Sequence, residues 1–491
     1  MSSTEGRPQL QFLGGAGTVT GSKYLITHRR QSMLLECGLF QGLKKLRLRN
    51  WQPPPFHAAE LRAVVVSHAH IDHTGYLPRL VREGFDGPIY CTHGTAELLE
   101  VLLPDAGRIQ EEDAEYANRK GFSKHRPALP LFDERDARRT LRLLEKIRYD
   151  RPAEVTSWCR LLFRPAGHIF GSATVELQFD SQPPGRLLFS GDLGRWGRPI
   201  IKDPERVDGD TLYDLLLLES TYGDRVHPPD RADDELADAV NTTVKRHGVL
   251  VIPAFAVGRT QEVLWRLDRL MDGGRIDSIP VYIDSPMAVD VTDIYRRHPE
   301  EHDLDMRLLV QEGGRPLSRG NFTFVADRNA SIAINDRSGP MIIIAGSGMA
   351  TGGRVLHHLK HRVGDPANMV LLVGYQAEGT RGRSLQDGAP RIKLHGRWIP
   401  VRAEVRTLEG LSAHADRHDI DRWLDALRHP PRRTFLVHGE PHASEALRDH
   451  LVAQRGWRVE IARPDQRIIL DGQTASDAER SGPIDPPAEP R

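Results

Sequence analysis

The feature that most constrains this chain is the run Ser67-His68-Ala69-His70-Ile71-Asp72-His73-Thr74-Gly75. It follows Leu61 to Val66, an apolar run with the character of a buried strand. His68, His70, Asp72 and His73 therefore sit together on the turn that leaves a strand. Neutral imidazole and carboxylate suit borderline divalent cations, zinc above all. A structural zinc takes about four protein ligands, and a catalytic zinc about three plus water. Four donors this close in sequence do not wrap one ion. The spacing divides them, His68 and His70 to one ion, Asp72 and His73 to a second. The bland alternative is a polar loop rich in histidine, against which the preceding strand and the following Gly75 both weigh.

Two later turns offer donors of the same kind. The strand Arg160 to Phe163 leads to Pro165-Ala166-Gly167-His168-Ile169-Phe170-Gly171-Ser172, and Arg186 to Phe189 leads to Ser190-Gly191-Asp192-Leu193-Gly194. Glycine turns at strand ends let backbone approach an ion and present one side chain at the tip. Near the other end, the strand Arg433 to Val437 ends in His438-Gly439-Glu440. The ligand candidates are thus His68, His70, Asp72, His73, His168, Asp192 and His438, all in loops that adjoin β-runs. The loop Gly14 to Ser22 lacks the lysine of a phosphate-binding loop and reads as a hairpin turn near the site.

A chain of 491 residues has room for several domains. Lys plus Arg equals Asp plus Glu at 67 each, so no global field draws in nucleic acid; a polyanion would need a local basic groove and the metals. Cys37, Cys91 and Cys159 are scattered and form neither a zinc-finger spacing nor a disulfide framework, which fits a reduced, intracellular setting. Met1 to Leu10 holds no apolar signal core, and no apolar run approaches the roughly 18 residues that span a bilayer. A cytoplasmic protein without membrane contact is expected. Helices are predicted over 72–82, 94–103 and 106–120, the last running into a basic, proline-broken loop with Lys120, Lys124, His125, Arg126 and Pro127. From about 210 to 395 apolar strands, beginning with Leu215 to Leu218, alternate with amphipathic helices, the pattern of a parallel α/β sheet. Its strand-end loops carry Gly, Ser and Arg, which favours phosphate binding at the carboxyl edge.

Taken together, His-Ala-His-Ile-Asp-His, the Gly-His turn and the Ser-Gly-Asp turn resemble the metallo-β-lactamase fold. Glu219-Ser220-Thr221-Tyr222-Gly223, Ser412-Ala413-His414 and Val437-His438-Gly439-Glu440 resemble the extra motifs of its β-CASP branch. The resemblance runs from about residue 9 to 470 and is nearest the bacterial relatives of the cleavage-and-polyadenylation endonuclease subunit. It implies an α/β protein: an αββα sandwich from residues 1–208 and 396–475, an inserted α/β β-CASP domain at 209–395, and a disordered tail at 476–491. It also implies two Zn²⁺ per chain. His68, His70 and His168 would hold one, and Asp72, His73 and His438 the other, with Asp192 bridging. Where the family usually has aspartate this chain has Glu36, which would bond the metal loop rather than the ions and tune affinity.

The function so implied is a zinc-dependent ribonuclease, endonucleolytic or acting from the 5′ end. A hydroxide held by the two metals would hydrolyse the phosphodiester and leave 5′-phosphate and 3′-hydroxyl ends. Asp72 would orient the attacking water. His414 would be the general acid for the leaving oxygen, with Glu219 holding its ring protonated. Tyr222, Arg259, Ser347, Arg354, Arg381 and Arg383 are candidate contacts to single-stranded RNA. His438 in the last motif favours RNA over DNA by resemblance, since DNA-repair members tend to be apolar there. The partners are then an RNA strand and no membrane, with room left for a homodimer. The competing readings are a single-strand DNA nuclease, a small-molecule hydrolase, and a catalytically dead RNA-processing scaffold. The inserted lid argues against the small-molecule hydrolase, and the intact ligand set against the scaffold.

Overall fold

The computed structural model of the chain describes residues 7–121, 125–181, 184–228 and 230–470. Lys124 of the basic loop and the tail 476–491 lie outside the described residues. The first sheet holds β1 (Gln9–Gly14), β2 (Lys23–His28), β3 (Gln31–Leu35), β4 (Leu61–Val65), β5 (Ile89–Thr92) and β6 (Leu144–Ile147). The second holds β7 (Ala153–Thr156), β8 (Cys159–Pro165), β9 (Ala173–Phe179), β10 (Gly185–Phe189) and β11 (Leu215–Glu219). The third is built from β12 (Val249–Pro253), β13 (Val281–Asp284), β14 (Phe322–Phe324), β15 (Met341–Ala345) and β16 (Met369–Leu372). A hairpin of β17 (Arg391–Leu394) and β18 (Arg397–Pro400) follows, then β19 (Glu404–Thr407), β20 (Arg433–Val437), β21 (Val459–Ile461) and β22 (Arg467–Ile469).

The C-terminal strands return to the N-terminal sheets. The orders are β22-β1-β2-β3-β4-β5-β6 and β21-β20-β11-β10-β9-β8-β7. One apolar core joins the inner faces of these two sheets, with Phe12, Tyr24 and Val65 from the first against Phe163, Phe189, Leu217 and Phe435 from the second. Strand β8 shows why: its odd positions are buried and its even ones half-buried or exposed, so period-2 alternation presents one apolar face inward. This sandwich is the β-lactamase-type half of the expected fold.

The third sheet is parallel throughout, in the order β14-β13-β15-β12-β16-β19. Its central strands β12 and β15 are buried at every position, as parallel strands covered by helices on both faces are. A second apolar core carries Leu98, Leu99, Leu102 and Phe170 of the sandwich half together with Leu236, Val263 and Tyr295 of the inserted half. The cap is therefore seated on the sandwich by shared packing.

At both borders of the insertion the sheets divide the chain differently from the expected 209–395. Strand β11 pairs with β10 and β20 in the sandwich, and β19 pairs with β16 in the cap. An all-apolar strand such as Leu215–Leu218 reads alike in either parallel setting, so only its partners decide. One helix, His93–Lys120, also replaces the two expected around Pro104. A proline removes a single backbone bond there, and burying Leu98, Leu99, Leu102 and Leu103 on one face keeps the helix continuous. Among the described residues, no helix is long and apolar enough to cross a membrane.

Candidate metal centre

The opening motif leaves β4 and turns into the short helix Ile71–Thr74, with His70 as its N-cap. His68 and His73 are fully buried, and Asp72 is partly open to the cleft. The neighbouring backbone holds this turn tightly. Ser22 N–H donates to the Asp72 carbonyl at 2.9 Å, and Cys37 N–H to the His73 carbonyl at 2.8 Å. A Cβ on Gly38 would lie 1.6 Å from the Asp72 carbonyl oxygen, so only glycine allows that approach. The Gly14–Ser22 segment does lie at the site: the Gly15 carbonyl accepts from His438 N–H at 2.7 Å.

The seven predicted donors converge. His68, His70, His168 and Asp192 present ligand atoms that all lie within 4.8 Å of one another, and Asp72, His73 and His438 form a second such group. In the first, His70 Nδ1 is 3.1 Å from His68 Nε2 and 3.2 Å from His168 Nε2. Asp192 Oδ2 is 3.5 Å from His68 Nε2 and 3.6 Å from His168 Nε2. In the second, His438 Nε2 is 3.2 Å from His73 Nε2 and 3.4 Å from Asp72 Oδ2. Tetrahedral ligands on bonds of about 2.0–2.1 Å are about 3.3 Å apart along each edge. The donor spacing therefore fits a zinc-sized cation at each group. Asp192 stands between them, its Oδ1 3.3 Å from His73 Nε2 and 3.4 Å from His438 Nδ1. That buried oxygen has no hydrogen-bond partner among the described residues, an expensive state unless a cation lies beside it.

Electrostatics agree with the donor chemistry. Burial pushes His68 and His168 well below the usual imidazole range and His70 down to about 4, which leaves the neutral rings a metal needs. Burial lowers His73 as well, but Asp192, Glu36 and Asp72 outweigh it and raise the ring to about 10. The carboxylate field that draws a proton onto His73 would equally draw a cation.

Glu36 is buried just past the end of β3, and its ligand atoms also group within 4.8 Å with those of His68 and His73. Its carboxylate accepts from Ser67 N–H at 2.7 Å and lies 2.7 Å from His73 Nδ1. The latter bond keeps the His73 proton on Nδ1 and turns Nε2 inward. Glu36 and His438 both take left-handed backbone, φ +63° and +48°, uncommon for residues with a Cβ and concentrated at functional sites.

His414 lies beside both groups. Its Nδ1 is 3.1 Å from Glu219 Oε2, and its ring centroid is 4.4 Å from that of His168. Burial disfavours the charged ring, but Glu219 and then Asp192 and Asp72 outweigh burial and raise it to about 9. Glu219 Oε1 accepts from Leu193 N–H, next to Asp192, at 2.5 Å. Thr221 was not singled out by the sequence pattern, yet its hydroxyl donates to Glu219 Oε2 at 2.6 Å and lies 3.2 Å from His438 Nδ1. Hydroxyl positions two residues beyond an acid carry no signal until the strand end is folded.

The candidate RNA contacts part ways. Arg259 lines a cavity of about 110 Å³ beside His70, His168 and His414. Tyr222 is nearly buried, its ring 6.2 Å from that of His414. Arg354 is occupied by Asp284 Oδ1 and by the Val325 and Ala326 carbonyls, and Arg381 by the carbonyls of Lys393, Ala350 and Thr351. Ser347 accepts from Thr351 N–H, and Arg383 pairs with Asp387. Tyr375 on the cap also donates to Glu440 Oε1 of the sandwich at 2.6 Å, a link across the cleft that sequence spacing does not reveal.

Residues 34–240 match the beta-lactamase superfamily domain, 260–385 the Beta-Casp domain, and 398–462 the Zn-dependent metallo-hydrolase RNA specificity domain. A protein named Ribonuclease TTHA0252 from Thermus thermophilus is 39% identical over 456 residues, covering 92% of this chain and 97% of that one. One named Transcription termination factor FttA from Methanocaldococcus jannaschii is 33% identical over 445 residues, covering 88% of this chain and 67% of its own length. A crystal structure of a protein of unknown function from Enterococcus faecalis V583 shares the fold, with a TM-score of 0.50, 13% identity, and coverage of 94% of this chain and all of that one. Kinship over nearly the whole length, together with the three domain matches, establishes that the chain belongs to the β-CASP family of metal-dependent hydrolases built on the metallo-β-lactamase fold.

Proposed function

We propose that the protein is a ribonuclease that hydrolyses phosphodiester bonds of single-stranded RNA with two zinc ions and leaves 5′-phosphate and 3′-hydroxyl ends. The observation that carries this reading is the pair of adjacent donor groups, with Asp192 of the first lying 3.3–3.4 Å from His73 and His438 of the second and the Glu219–His414 pair beside them. The relative named a ribonuclease and the match to an RNA specificity domain support RNA as the substrate class.

His68, His70 and His168 would hold one zinc and Asp72, His73 and His438 the other, with Asp192 shared. Bound zinc supplies Lewis acidity to the scissile phosphate and to the attacking water. The rest is done by side chains of the chain. Asp72, the exposed edge of its group, accepts a hydrogen bond from the attacking water and aims it. His414 carries a proton on the cleft side and delivers it to the leaving 3′ oxygen. Glu219 favours the charged imidazolium and fixes the ring, so the proton stays available near neutral pH. Thr221 braces Glu219 and accepts from His438 Nδ1–H, which turns His438 Nε2 toward the site. The cap closes one wall and excludes bulk water around the leaving group.

The test is cleavage of matched RNA and DNA oligonucleotides, with products mapped on 5′-labelled RNA bearing a triphosphate, a monophosphate or a hydroxyl. RNA cleavage leaving 5′-phosphate products is expected. Preference for DNA, or products ending in a 2′,3′-cyclic phosphate, would overturn the proposal. Metal analysis on the same preparation should return two zinc per chain.

A further inference from the structure

The cavity beside the metal centre ends on the cap at the helix Arg259–Asp272. Gly258 precedes this 14-residue helix at φ +74°, and the Val257 and Phe255 carbonyls accept from its first two N–H groups, those of Arg259 and Thr260, at 2.9 and 3.2 Å, so what the helix start offers the cavity is the Arg259 side chain. Arg259, the first helical residue, is 7% exposed and lines the same space. Its Nη1 bonds Glu262 Oε2 at 2.5 Å, while Nε and Nη2 have no protein partner among the described residues. Nε and Nη2 carry three of the five guanidinium N–H donors, and an anion in the cavity would meet them.

The charges around this space favour an anion. Glu262 is the one carboxylate that lines it, and it is shared by Arg198, Arg259 and Arg266. The acids that balance the remainder, Asp230 and Asp233, are about four-tenths exposed on the outer side. The cavity face therefore holds an excess of guanidinium. At about 110 Å³ it has room for a phosphate group. Its other walls include Phe255, Val257 and Ile169, which lower the local dielectric and strengthen a charge-assisted bond.

We infer that the Arg259 side chain forms a subsite for a backbone phosphate of the substrate strand, next to the scissile one. The inference rests on the ribonuclease reading for the identity of the strand. The planar fork of Arg259 would present Nε and Nη2 together to two phosphate oxygens, with Glu262 and Arg198 fixing its plane.

The zinc-loaded protein is assayed on a single-stranded RNA as wild type, Arg259→Gln, Arg259→Lys and Arg269→Gln, with zinc content and thermal melting matched. Arg269 lies on the same helix, stacked on Trp265 away from the cavity, and serves as the control. Arg259→Gln should raise KM by about ten- to a hundredfold and change kcat by less than about threefold. Its log(kcat/KM) should fall less steeply with log salt, by about 0.7 of slope, the share of one phosphate contact. Arg259→Lys should restore the slope but only part of KM, because a point charge replaces a fork. Unchanged KM and slope in a folded Arg259→Gln would overturn the subsite, and so would a loss confined to kcat. Thermal melting with added inorganic phosphate reads the site without RNA. A phosphate-dependent rise in Tm that is present in wild type and reduced in either Arg259 variant supports the subsite. An equal rise in all proteins overturns it. Wild type that cleaves no RNA would sink the ribonuclease reading and leave the phosphate result to decide the subsite.

Discussion

Replacing Glu36 by Gln isolates how one buried carboxylate sets the metal site. The side chain keeps its length, and Gln Oε1 can still accept from Ser67 N–H, now 2.7 Å from Glu36 Oε1. The amide NH₂ then faces His73 Nδ1, 2.7 Å from the oxygen it replaces. Two donors cannot share that gap. The ring must move its proton to Nε2, the atom that faces Asp192 Oδ1 at 3.3 Å and His438 Nε2 at 3.2 Å. A protonated Nε2 cannot ligate. The lost hydrogen bond to a charged group corresponds to about 1.5–3 kcal/mol. Partners behind a ligand typically change affinity by about 10–100-fold, which is the same range at about 1.4 kcal/mol per tenfold. Zinc at the His73 group should therefore weaken by about 10–100-fold, while the His68 group keeps its zinc. Competition against a graded series of chelators reads both affinities, and nitrogen-15 shifts of the imidazole report the tautomer. Glu36→Asp, one methylene shorter, should keep the Nδ1 proton and weaken zinc far less. An Arg or Lys control is unnecessary, because the decisive result is chemical: Glu36→Gln with wild-type zinc affinity and an Nδ1-protonated His73 would refute the reasoning.

Other substitutions separate the roles at the centre. His414→Ala should leave zinc content intact and slow turnover by about 10²–10⁴, since it removes a proton donor and no ligand; loss of metal in that variant would make His414 a ligand instead. His438→Ala should lower metal content from two zinc to about one at moderate chelator concentration, and full occupancy of both positions would place His438 outside the site. Away from the centre, burial alone would raise the Asp284 carboxyl, but bonds from His358, Ser331 and Arg354 outweigh it and hold it below the usual range. A depressed folded value contributes stability above the unfolded value of about 3.9 and loses it as pH falls through the folded one. Asp284→Asn should therefore cost about 3 kcal/mol at pH 7, as the breaking of a buried ion pair does. In chemical denaturation the gap to wild type should narrow below about pH 4, and a gap that persists there would exclude the carboxylate charge as its source.

The donor residues were legible in the chain because chemistry and turn geometry coincide there. His68 to His73 follow an apolar strand, and His168, Asp192 and His438 each end one, so residue type, strand end and glycine turn all point the same way. The inserted parallel sheet followed from the change of hydrophobic period, while the sandwich was implied only by the resemblance to the metallo-β-lactamase fold. What folding alone decided were relations between residues far apart. Strand β11 joins the sandwich and β19 the cap because hydrogen-bond partners, not apolar runs, choose a sheet. Arg354 and Arg381 turn to backbone carbonyls while Arg259 keeps donors free in the cavity, though all are arginines beside strand-end loops. Local sequence fixes what a side chain can offer. Which atoms it meets is set by contacts across hundreds of residues, such as His73 with His438 and Glu219 with His414, and no local pattern encodes them.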